Sequence, residues 1–552
     1  MKKFKLPIII IAFITFLAGC SNGDGIYSDK GQVFRKVLPQ DMASLDTALV
    51  TDTVSFDVFN QVYEGLYTLD KNDKAVPGVA KEMPEKSNGG KTLTIKLRKN
   101  AKWSNGEPVT AHDFVYSWRR AINPDTASEY AYIMYDIKNA EEINLGKKKV
   151  KDLGIKAVND HTLKVELTKP IPYINELFAF GVFMPVNKHA VEKYGEQYGT
   201  KASKAVYNGP FKVKDWKVED KIQLVKNNDY WDKKNVSLDR VNYKVLKDQQ
   251  AGASLYDTGS TDDTTITADQ VDKYKGKPAL KKRLLASTFF IKLNQKDVPA
   301  FKNKQMRLAI SQAIDKQGYV DSVKNNGSTA FDGFTSKLTA NTTDGKDFAD
   351  TIKSPLTYNP KAAKANLEKA KKELGVKEIT FKMNTEDTPD AKISAEYIKS
   401  QVEKNLPGVT MKIQQLPFKQ RVNRELSQNY EASLSGWGPD YPDPLTFLNT
   451  MTTGNSQNKT GWSNKEFDKL TKEANGPLLK KPKEREAAMK KAEELLLHDA
   501  PVAPIYQKGE AHLTNPQVKG LFYHQIGGDT SLKYVKIDKS IDRKTGEKKK
   551  DK

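Results

Sequence analysis

The segment 436–444, which reads GWGPDYPDP, contains the residues whose types and spacing best suit the binding of a charged ligand. Asp440 lies between two large aromatic residues, Trp437 and Tyr441. Rings beside a carboxylate lower the local dielectric constant and strengthen its attraction for a cation such as an ammonium group. The glycines and prolines exclude a helix here. The same composition also fits an Asx turn with both rings packed in the core, so the residues alone leave both interpretations open.

The sequence contains no recognisable motif for covalent, metal-dependent or nucleotide-dependent catalysis. Its six histidines form no His-Glu-x-x-His or other close pair, and no Gly-x-Ser-x-Gly run is present. Gly90-Lys91-Thr92 looks like the end of a phosphate-binding loop, but Glu85 stands where that loop needs glycine. A single cysteine excludes an internal disulfide and a thiolate zinc site. Carboxylates from distant segments could still meet, so the sequence favours binding over catalysis and predicts neither a cofactor nor a metal.

The one cysteine follows a segment that is typical of an export signal. A basic start, Met1–Lys5, precedes a short apolar run that is too short to remain in a bilayer as a helix. Leu17-Ala18-Gly19-Cys20 resembles a bacterial lipobox, in which Cys20 is lipidated and becomes the first mature residue. A plain secretory signal ending near Gly19 is the alternative. We therefore expect a signal peptide at 1–19, a lipid anchor at Cys20 and a flexible tether at 20–25.

The charge is strongly positive, but its distribution does not require a nucleic-acid partner. The formal net charge is +21, and it falls to +18 when residues 1–19 leave with Lys2, Lys3 and Lys5. Part of the remainder lies in the stretch 541–552, which is rich in lysine and reads as a basic, disordered tail. An exported protein meets little nucleic acid, so a solubilising surface is the simpler interpretation.

Strand and helix patterns alternate along the chain, which predicts an α/β fold. In one example, Leu93, Ile95 and Leu97 alternate as in a half-buried strand, and Thr110 with Asp113 then forms a capping box for a helix. The other predicted strands are at 163–167, 211–213, 222–225, 241–245, 379–383 and 410–413. The other predicted helices are at 305–316, 360–374, 393–405, 464–474 and 483–498.

Several short runs together resemble one protein family. They are Ser44-Leu45-Asp46, VYEGL at 62–66, PGVA at 77–80, LRKNAKWSNGEPVTAHDF at 97–114, NGPF at 208–211, Tyr230-Trp231, Gly436-Trp437 with Asp440-Tyr441, and FLN at 447–449. On these runs the chain resembles the oligopeptide-binding lipoproteins of ABC importers, the OppA-like branch of the peptide-binding family. The resemblance covers nearly the whole mature chain.

The resemblance implies a two-lobed, periplasmic-binding-protein-like clamp of the cluster C type with an extra inserted domain. One lobe would comprise 26–63, 188–290 and 515–540, and the inserted domain 64–187. The other lobe would comprise 291–514. The lobes would rotate about two connecting segments and enclose the ligand between them.

The resemblance also implies a set of ligand-binding residues. Asp440 matches the aspartate that pairs with the free α-amino group of a peptide. Gly436, Trp437 and Gly438 match the strand that pairs with the peptide backbone, and Tyr441 adjoins it. The remaining matches are an opposing edge at Thr51, Asp52 and Thr53, and cleft tyrosines at Tyr130 and Tyr506.

Two features depart from the family pattern. Enteric relatives carry a basic residue two positions before the Gly-Trp pair that helps to bind the peptide C-terminus, whereas this chain has Leu434 there. Arg421 and Arg424 lie nearby and could substitute. The segment Ser254–Thr267 is unusually rich in Ser, Thr and Asp, and the resemblance gives it no function.

We therefore expect a monomeric, lipid-anchored receptor on the outer face of the cell membrane. It would capture oligopeptides and deliver them to an ABC permease that is powered by separate ATPase subunits. A receptor for a signalling peptide, a haem or a nickel complex is an alternative of the same class. An envelope adhesin or hydrolase is an alternative of a different class.

Overall fold

The computed structural model of the protein describes residues 31–550. The strands are β1 Val33–Leu38, β2 Tyr67–Leu69, β3 Ala75–Pro77, β4 Glu85–Ser87, β5 Thr92–Lys96, β6 Ile155–Asn159, β7 Thr162–Glu166, β8 Phe211–Lys217, β9 Lys221–Lys226, β10 Arg240–Val245, β11 Asp263–Thr265, β12 Leu280–Leu293, β13 Thr329–Ala330, β14 Ile379–Glu386, β15 Val409–Leu416, β16 Ala432–Trp437, β17 Val502–Thr514, β18 Val518–Lys519, β19 Phe522–Tyr523, β20 Thr530–Ser531 and β21 Lys536–Ile537. The signal peptide, Cys20 and the tether predicted from the sequence lie outside the described residues.

The α-helices are α1 Thr53–Val62, α2 Ala111–Ile122, α3 Ala140–Asn144, α4 Ile174–Leu177, α5 Lys188–Tyr194, α6 Gln249–Asp257, α7 Ala268–Tyr274, α8 Pro299–Lys302, α9 Lys304–Gln312, α10 Lys316–Tyr319, α11 Pro360–Leu374, α12 Pro389–Asn405, α13 Phe418–Leu426, α14 Leu445–Leu448, α15 Lys465–Ala474 and α16 Pro482–Asp499. No helix within 31–550 combines the length and the apolar content needed to cross a membrane.

One large mixed sheet forms the centre of the molecule. Its strand order is β15-β14-β16-β12-β17-β11-β1-β10-β9-β8, with β13 added to β17. The long antiparallel pair β12 and β17 runs between the β14–β16 half and the half that contains β1 and β8–β11. Its register breaks between Leu284 and Thr288 on β12, opposite Gly509 and Gln507 on β17. In the sequence, this break lies a few residues before the lobe borders predicted at 290 and 514. An interrupted register lets a strand pair bend at that point.

A separate four-stranded antiparallel sheet has the strand order β4-β5-β7-β6 and is formed by residues between 85 and 166. Leu93 and Ile95 of β5 are fully buried, together with Leu163 and Val165 of β7. This alternation is the one that the sequence predicted for a strand with one buried face. The α/β fold class is confirmed.

Most predicted elements are present, but the helix predicted at 305–316 ends earlier than expected. Helix α9 ends at Gln312, and the Asp315 carboxylate accepts a hydrogen bond of 2.9 Å from the Gly318 backbone N–H. Asp315 therefore starts a new helix, α10, instead of continuing the old one. Helix α11 follows its signals: Asn359 caps it, Pro360 is its first residue, and Gly375 ends it with φ of 69°.

Three of the family-typical runs meet in one buried cluster around Glu64. Asn208 and Glu64 exchange two hydrogen bonds, of 3.0 Å and 2.8 Å, between the Asn208 amide and the Glu64 backbone. The Glu64 carboxylate accepts from Trp231 Nε1 at 2.6 Å and from the Tyr230 hydroxyl. A Cβ at Gly209 would lie 2.6 Å from the backbone of Val62, so only glycine fits there. These runs are thus structural, and they join α1 to the start of β8.

The chain end is ordered, so the prediction of a disordered tail is wrong for 541–550. Ile541 is buried, and it forms an isolated bridge with Lys548. The Arg543 guanidinium donates to the Asp262 carboxylate at 3.0 Å and lies 4.7 Å from the Tyr256 ring centroid. Asp262 also accepts from the Asn515 amide at 2.9 Å. The Ser, Thr and Asp-rich segment at 254–267 therefore has a structural role, because it holds the C-terminal segment against the large sheet.

Glu493 on α16 is a fully buried carboxyl group without a cationic partner among the described residues. Its Oε1 accepts hydrogen bonds from the backbone N–H groups of Phe334 at 2.8 Å and Thr335 at 3.0 Å, while Oε2 has no partner. Burial raises the pKa of Glu493 to about 7, although these hydrogen bonds act in the opposite direction. The native state therefore keeps a proton on Glu493 well above the pH at which the unfolded chain releases it.

We expect Glu493→Gln to remove a loss of stability that the parent protein shows as the pH rises. Unfolding releases the Glu493 proton between about pH 4.5 and 7, so stability falls across this window by about 3 kcal/mol, and glutamine has no proton to release. Chemical unfolding at a series of pH values measures the difference. Glu484→Gln, in the exposed first turn of the same helix, should leave the parent profile unchanged. An unaltered pH profile in Glu493→Gln would contradict the assignment.

Candidate functional site

A cleft with a cavity volume of about 300 Å³ lies beside β16, where the two halves of the large sheet face each other. A smaller chamber of about 70 Å³ continues from it to Asp440. The cleft is lined by Thr51–Thr53, Ser287, Phe289, Lys292, Lys324, Thr385, Glu386, Arg421, Glu425, Leu434–Gly438, Tyr506 and Lys508, among others. Segments that lie far apart in the sequence therefore form its walls.

Strand β16 presents an unpaired edge to this cleft. One edge pairs antiparallel with β12 along the whole strand, from Ala432 to Trp437. The other edge pairs with β14 only at Ala432 and Ser433. From Leu434 onward, no strand among the described residues covers that edge, and Leu434–Gly438 line the cleft instead. Unpaired backbone N–H and C=O groups at a sheet edge are suited to pair with an extended peptide.

Two glycines keep the backbone of this edge accessible. A Cβ at Gly436 would lie 2.8 Å from the Phe289 ring, and a Cβ at Gly438 would lie 2.8 Å from Ser287 Oγ. Contacts below 3.0 Å would force the strand or its neighbours to move. The glycines predicted at the site are therefore required by packing on the β12 side, and they leave no side chain over the backbone.

Asp440 is a buried carboxylate with incomplete hydrogen bonding. It is 6% exposed, and its Oδ1 accepts from the Tyr130 hydroxyl at 3.1 Å. Its Oδ2 has no partner, and no ion pair to Asp440 occurs within 31–550. Burial raises the pKa of Asp440 well above its ordinary value, while the Tyr130 and Thr446 hydroxyls favour the charged form. A cation that reached Oδ2 would therefore meet a carboxyl group whose charge is not yet compensated.

The aromatic rings around Asp440 have different roles. Trp437 lines the cleft, and its ring stacks on Tyr130 with centroids 6.0 Å apart, while its Nε1 donates to the Thr446 carbonyl at 3.0 Å. Tyr441 lines none of the described cavities. It is buried and stacks on Tyr173 with centroids 4.4 Å apart. The prediction that both rings flank the carboxylate as ligand contacts thus needs correction, because Tyr441 is a core residue.

The wall opposite β16 is a helix N-terminus, not the strand edge that the sequence predicted. Thr51, Asp52 and Thr53 line the cleft, but α1 begins at Thr53. The Asp52 carboxylate caps this helix, because it accepts from the Ser55 backbone N–H and from the Ser55 hydroxyl, both at 2.8 Å. Burial raises the pKa of Asp52, and the Ser55 hydrogen bonds oppose that change. The predicted residues are in the right place, in a different local structure.

Tyr506 lies in the cleft wall, as predicted. Its ring stacks on Phe289 with centroids 5.0 Å apart, and Lys324 Nζ lies 5.4 Å from the Tyr506 ring centroid. Lys324 also forms an ion pair with Asp390 at 2.6 Å. Burial alone would lower the pKa of Lys324, but the neighbouring tyrosines and Asp390 raise it well above its ordinary value. Lys324 is therefore a charged, paired group of the wall.

The end of the cleft near Leu434 contains four charged residues in one network. Arg421 forms ion pairs with Glu425 and, at 3.2 Å, with Glu386. Lys292 pairs with Glu425 at 3.2 Å. Burial alone would raise the pKa of Glu425, but the Arg421 and Lys292 charges and the Ser433 hydrogen bond lower it to about 2. We call these four residues, Lys292, Glu386, Arg421 and Glu425, the Arg421 network.

Of the two arginines that could replace a basic residue at position 434, only Arg421 lines the cleft. Arg424 contacts the Gln414 side chain at 3.3 Å. The spacing of Arg421 and Glu425 on one helix could have indicated their pairing from the sequence. Nothing in the sequence indicated that Lys292 and Glu386 join them, because these residues come from two separate strands. Within 31–550, no group of histidine, cysteine and carboxylate side chains is placed to hold a metal ion.

Polar contacts between the two sides of the cleft close its mouth. Lys247 pairs with Asp387 at 2.9 Å, and the Gln40 amide donates to Glu386. Farther along, the Gln457 amide donates to the Glu129 carbonyl at 3.2 Å. The structure is therefore in a closed arrangement, in which Asp440 is buried and the unpaired edge is partly buried.

The chain is similar to known proteins along most of its length. The family model described as bacterial extracellular solute-binding proteins, family 5 Middle, matches residues 74–459. The dipeptide-binding protein of Lactococcus lactis subsp. cremoris (strain MG1363) is 36% identical over 516 residues, which cover 90% of this chain and 94% of that protein.

Solved structures extend this similarity to the fold. The substrate-binding domain of an oligopeptide ABC transporter from Bacillus anthracis superimposes with a TM-score of 0.90 at 43% identity, covering 92% of this chain and 99% of that one. Listeria monocytogenes OppA bound to peptide superimposes with a TM-score of 0.89 at 40% identity, covering 92% and 100%.

Because Asp440 is buried without a cation, we expect Asp440→Asn to stabilise the ligand-free protein. A raised native pKa means that stability is lost as the pH rises through that pKa, and asparagine removes this loss. The gain above that pH should be about 1–3 kcal/mol. It is measured by chemical unfolding after ligand has been removed under denaturing conditions and the protein refolded.

Asp443→Asn is the matched control, because Asp443 accepts two hydrogen bonds from the Arg485 guanidinium, at 2.7 Å and 2.9 Å. That substitution removes the charge that pairs with the Arg485 guanidinium, whose side chain is 13% exposed, and should destabilise the protein by about 3 kcal/mol. If Asp440→Asn destabilised the ligand-free protein as Asp443→Asn does, Asp440 would be a structural residue.

Proposed function

The chain belongs to the bacterial extracellular solute-binding proteins of family 5, and from this membership we propose that it captures oligopeptides and delivers them to the permease of an ABC importer. The observation that carries the proposal is the unpaired edge of β16 beside the buried Asp440. An extended peptide has the two features that this arrangement lacks, a backbone that can pair with the edge and an ammonium group that can pair with the carboxylate.

In the proposed complex the peptide forms an additional strand along Leu434–Gly438. Its α-ammonium group donates to the free Oδ2 of Asp440, and Trp437 and Tyr130 surround that contact. Residues Thr51–Thr53 form the opposite wall, and Tyr506 lines the cleft farther along. Backbone pairing is independent of peptide sequence, so this binding mode suits a receptor for many peptides. The matching family model is one of solute-binding proteins, and on this ground we propose that the protein is not an enzyme.

Lobe rotation would open and close this cleft. We assign one lobe to 26–63, 188–290 and 515–540, the inserted domain to 64–187 and the other lobe to 291–514. The register break of β12 and β17 supports a bend there, because a strand pair without continuous hydrogen bonds deforms at lower cost. Asp440 and Tyr130 then come from different sides of the cleft, so closure completes the site.

We further propose that the protein acts as a monomer on the outer face of the cell membrane, held by lipid on Cys20. Lipid attached there would supply more than one acyl chain, which stable anchoring requires. Its partners would be the permease and, through it, the ATPase subunits. The tether at 20–25 would let the anchored protein reach a permease in the same membrane.

Binding of matched peptides tests the role of Asp440. A pentapeptide with a free amino group should bind at least about 100-fold more tightly than its N-acetylated form, because acetylation removes the charge that the buried carboxylate needs. Asp440→Asn should weaken binding of the free peptide by a similar factor and change binding of the acetylated peptide little. Isothermal titration calorimetry measures all four combinations. Equal affinity of the parent for both peptides would contradict the assignment.

Identification of the ligand that co-purifies with the protein distinguishes a peptide receptor from a receptor for another cargo. Protein purified without denaturation should release a mixture of peptides when it is denatured, and mass spectrometry identifies them. A haem, a metal chelate or one dominant peptide would instead identify the receptor as specific for that ligand. An added peptide should be recovered intact after long incubation, whereas an enzyme would convert it.

We expect Cys20→Ser to move the protein from the membrane fraction to the soluble extracytoplasmic fraction. The serine cannot receive the thioether-linked lipid, so the acyl chains that hold the protein are missing. Cell fractionation followed by immunoblotting measures the distribution, and Ser21→Ala should remain with the membrane. Unchanged membrane association of Cys20→Ser would contradict the proposed anchor.

A further inference from the structure

The direction of β16 places the carboxyl end of a bound peptide next to the Arg421 network. This step rests on the proposed function, in which the peptide ammonium group pairs with Asp440. The unpaired edge then runs back from Gly438 to Leu434, and five residues of strand span about 16 Å. The Glu425 carboxylate accepts hydrogen bonds from the hydroxyls of Ser433 and Ser435, so the network lies against this end of the edge.

The Arg421 network carries no net charge. Its two cations, Arg421 and Lys292, face two carboxylates, Glu386 and Glu425, at ion-pair distance. The other two cations of the cleft wall are also paired, Lys324 with Asp390 at 2.6 Å and Lys508 with Glu510 at 2.7 Å. Among the cleft residues that the structure describes, each lysine and arginine therefore has a carboxylate partner.

The two carboxylates of the network are not equivalent. The Glu425 side chain is 6% exposed and holds Arg421, Lys292 and two serine hydroxyls, so it is fixed in the wall. The Glu386 side chain is 25% exposed, and among the residues that the structure describes its polar partners are one terminal nitrogen of Arg421 and the Gln40 amide. Glu386 thus covers the part of Arg421 that an incoming carboxylate could reach.

We propose that Glu386 makes the cleft indifferent to the carboxylate of its ligand. A peptide carboxylate near this network is attracted by Arg421 and repelled by Glu386, and the two effects cancel. Recognition is then confined to the amino end, at Asp440. The ligands are oligopeptides with a free amino group whose carboxyl end can be a free acid, an amide or the start of a longer chain.

Two pentapeptides of the same sequence, one a free acid and the other a C-terminal amide, test this proposal by isothermal titration calorimetry. The parent protein should bind them with dissociation constants that agree within about twofold. In Glu386→Gln, the network has two cations against one carboxylate, so the acid should bind about tenfold more tightly than the amide. The parent comparison needs no variant and stands even if Glu386→Gln folds poorly.

Asp387→Asn is the matched control for charge. It makes the same chemical change one residue away, at a side chain that pairs with Lys247 across the mouth and lies outside the cleft lining. It can weaken both peptides through a less stable closed state, but their ratio should stay near one.

A preference of the parent for the acid by tenfold or more would overturn the proposal, as would an unchanged ratio in folded Glu386→Gln. If neither peptide bound the parent, the proposed function would fail together with the inference. Tight binding of both peptides with a strong acid preference would reject only the inference.

Discussion

A buried carboxylate without a cationic partner is the constraint on which the rest of the site depends. Removing the charge of Asp440 from water is unfavourable unless another group compensates it, and the protein supplies only hydroxyl groups. Under the proposed lobe assignment, the Tyr130 hydroxyl that donates to Asp440 comes from the opposite side of the cleft. The carboxylate is therefore fully enclosed only in the closed arrangement, and the site remains electrically incomplete until a ligand brings a cation.

In the proposed binding mode, the cleft recognises little besides that cation and the peptide backbone. Gly436 and Gly438 leave the strand edge bare, which lets any extended peptide pair with it. Each lysine and arginine of the wall that the structure describes is paired with a carboxylate, so an acidic side chain of the ligand meets no unpaired cation there. In the proposed binding mode, a bare strand edge and a wall whose cations are already paired would let one cleft accept many peptide sequences.

The sequence predicted the regular elements well and the site in part, for reasons visible in particular residues. Helix ends are set by local signals, each of which acts within a few positions. Thr110 and Asp113 form the start of α2, Asn359 caps the start of α11, and Gly375 ends α11. The sequence pattern predicts that Asp315 continues a helix, because its capping role depends on which N–H groups are free in the fold. The ordered chain end and the Arg421 network depend on contacts between residues from separate elements of the chain, which spacing along the sequence cannot show.

Closure of the cleft depends on two opposing contributions. The contacts across its mouth favour closure, and the cost of enclosing Asp440 without a cation opposes it. The outer contacts, such as Lys247 with Asp387, join side chains that are about one-third exposed, and such pairs contribute only about 0–1 kcal/mol each. The inner cost of enclosing Asp440 without a partner is of the same size or larger. Without ligand, the outer contacts therefore do little more than offset that cost. An ammonium group at Oδ2 removes the cost, and the equilibrium shifts toward the closed arrangement by as much as the ligand binds that arrangement better.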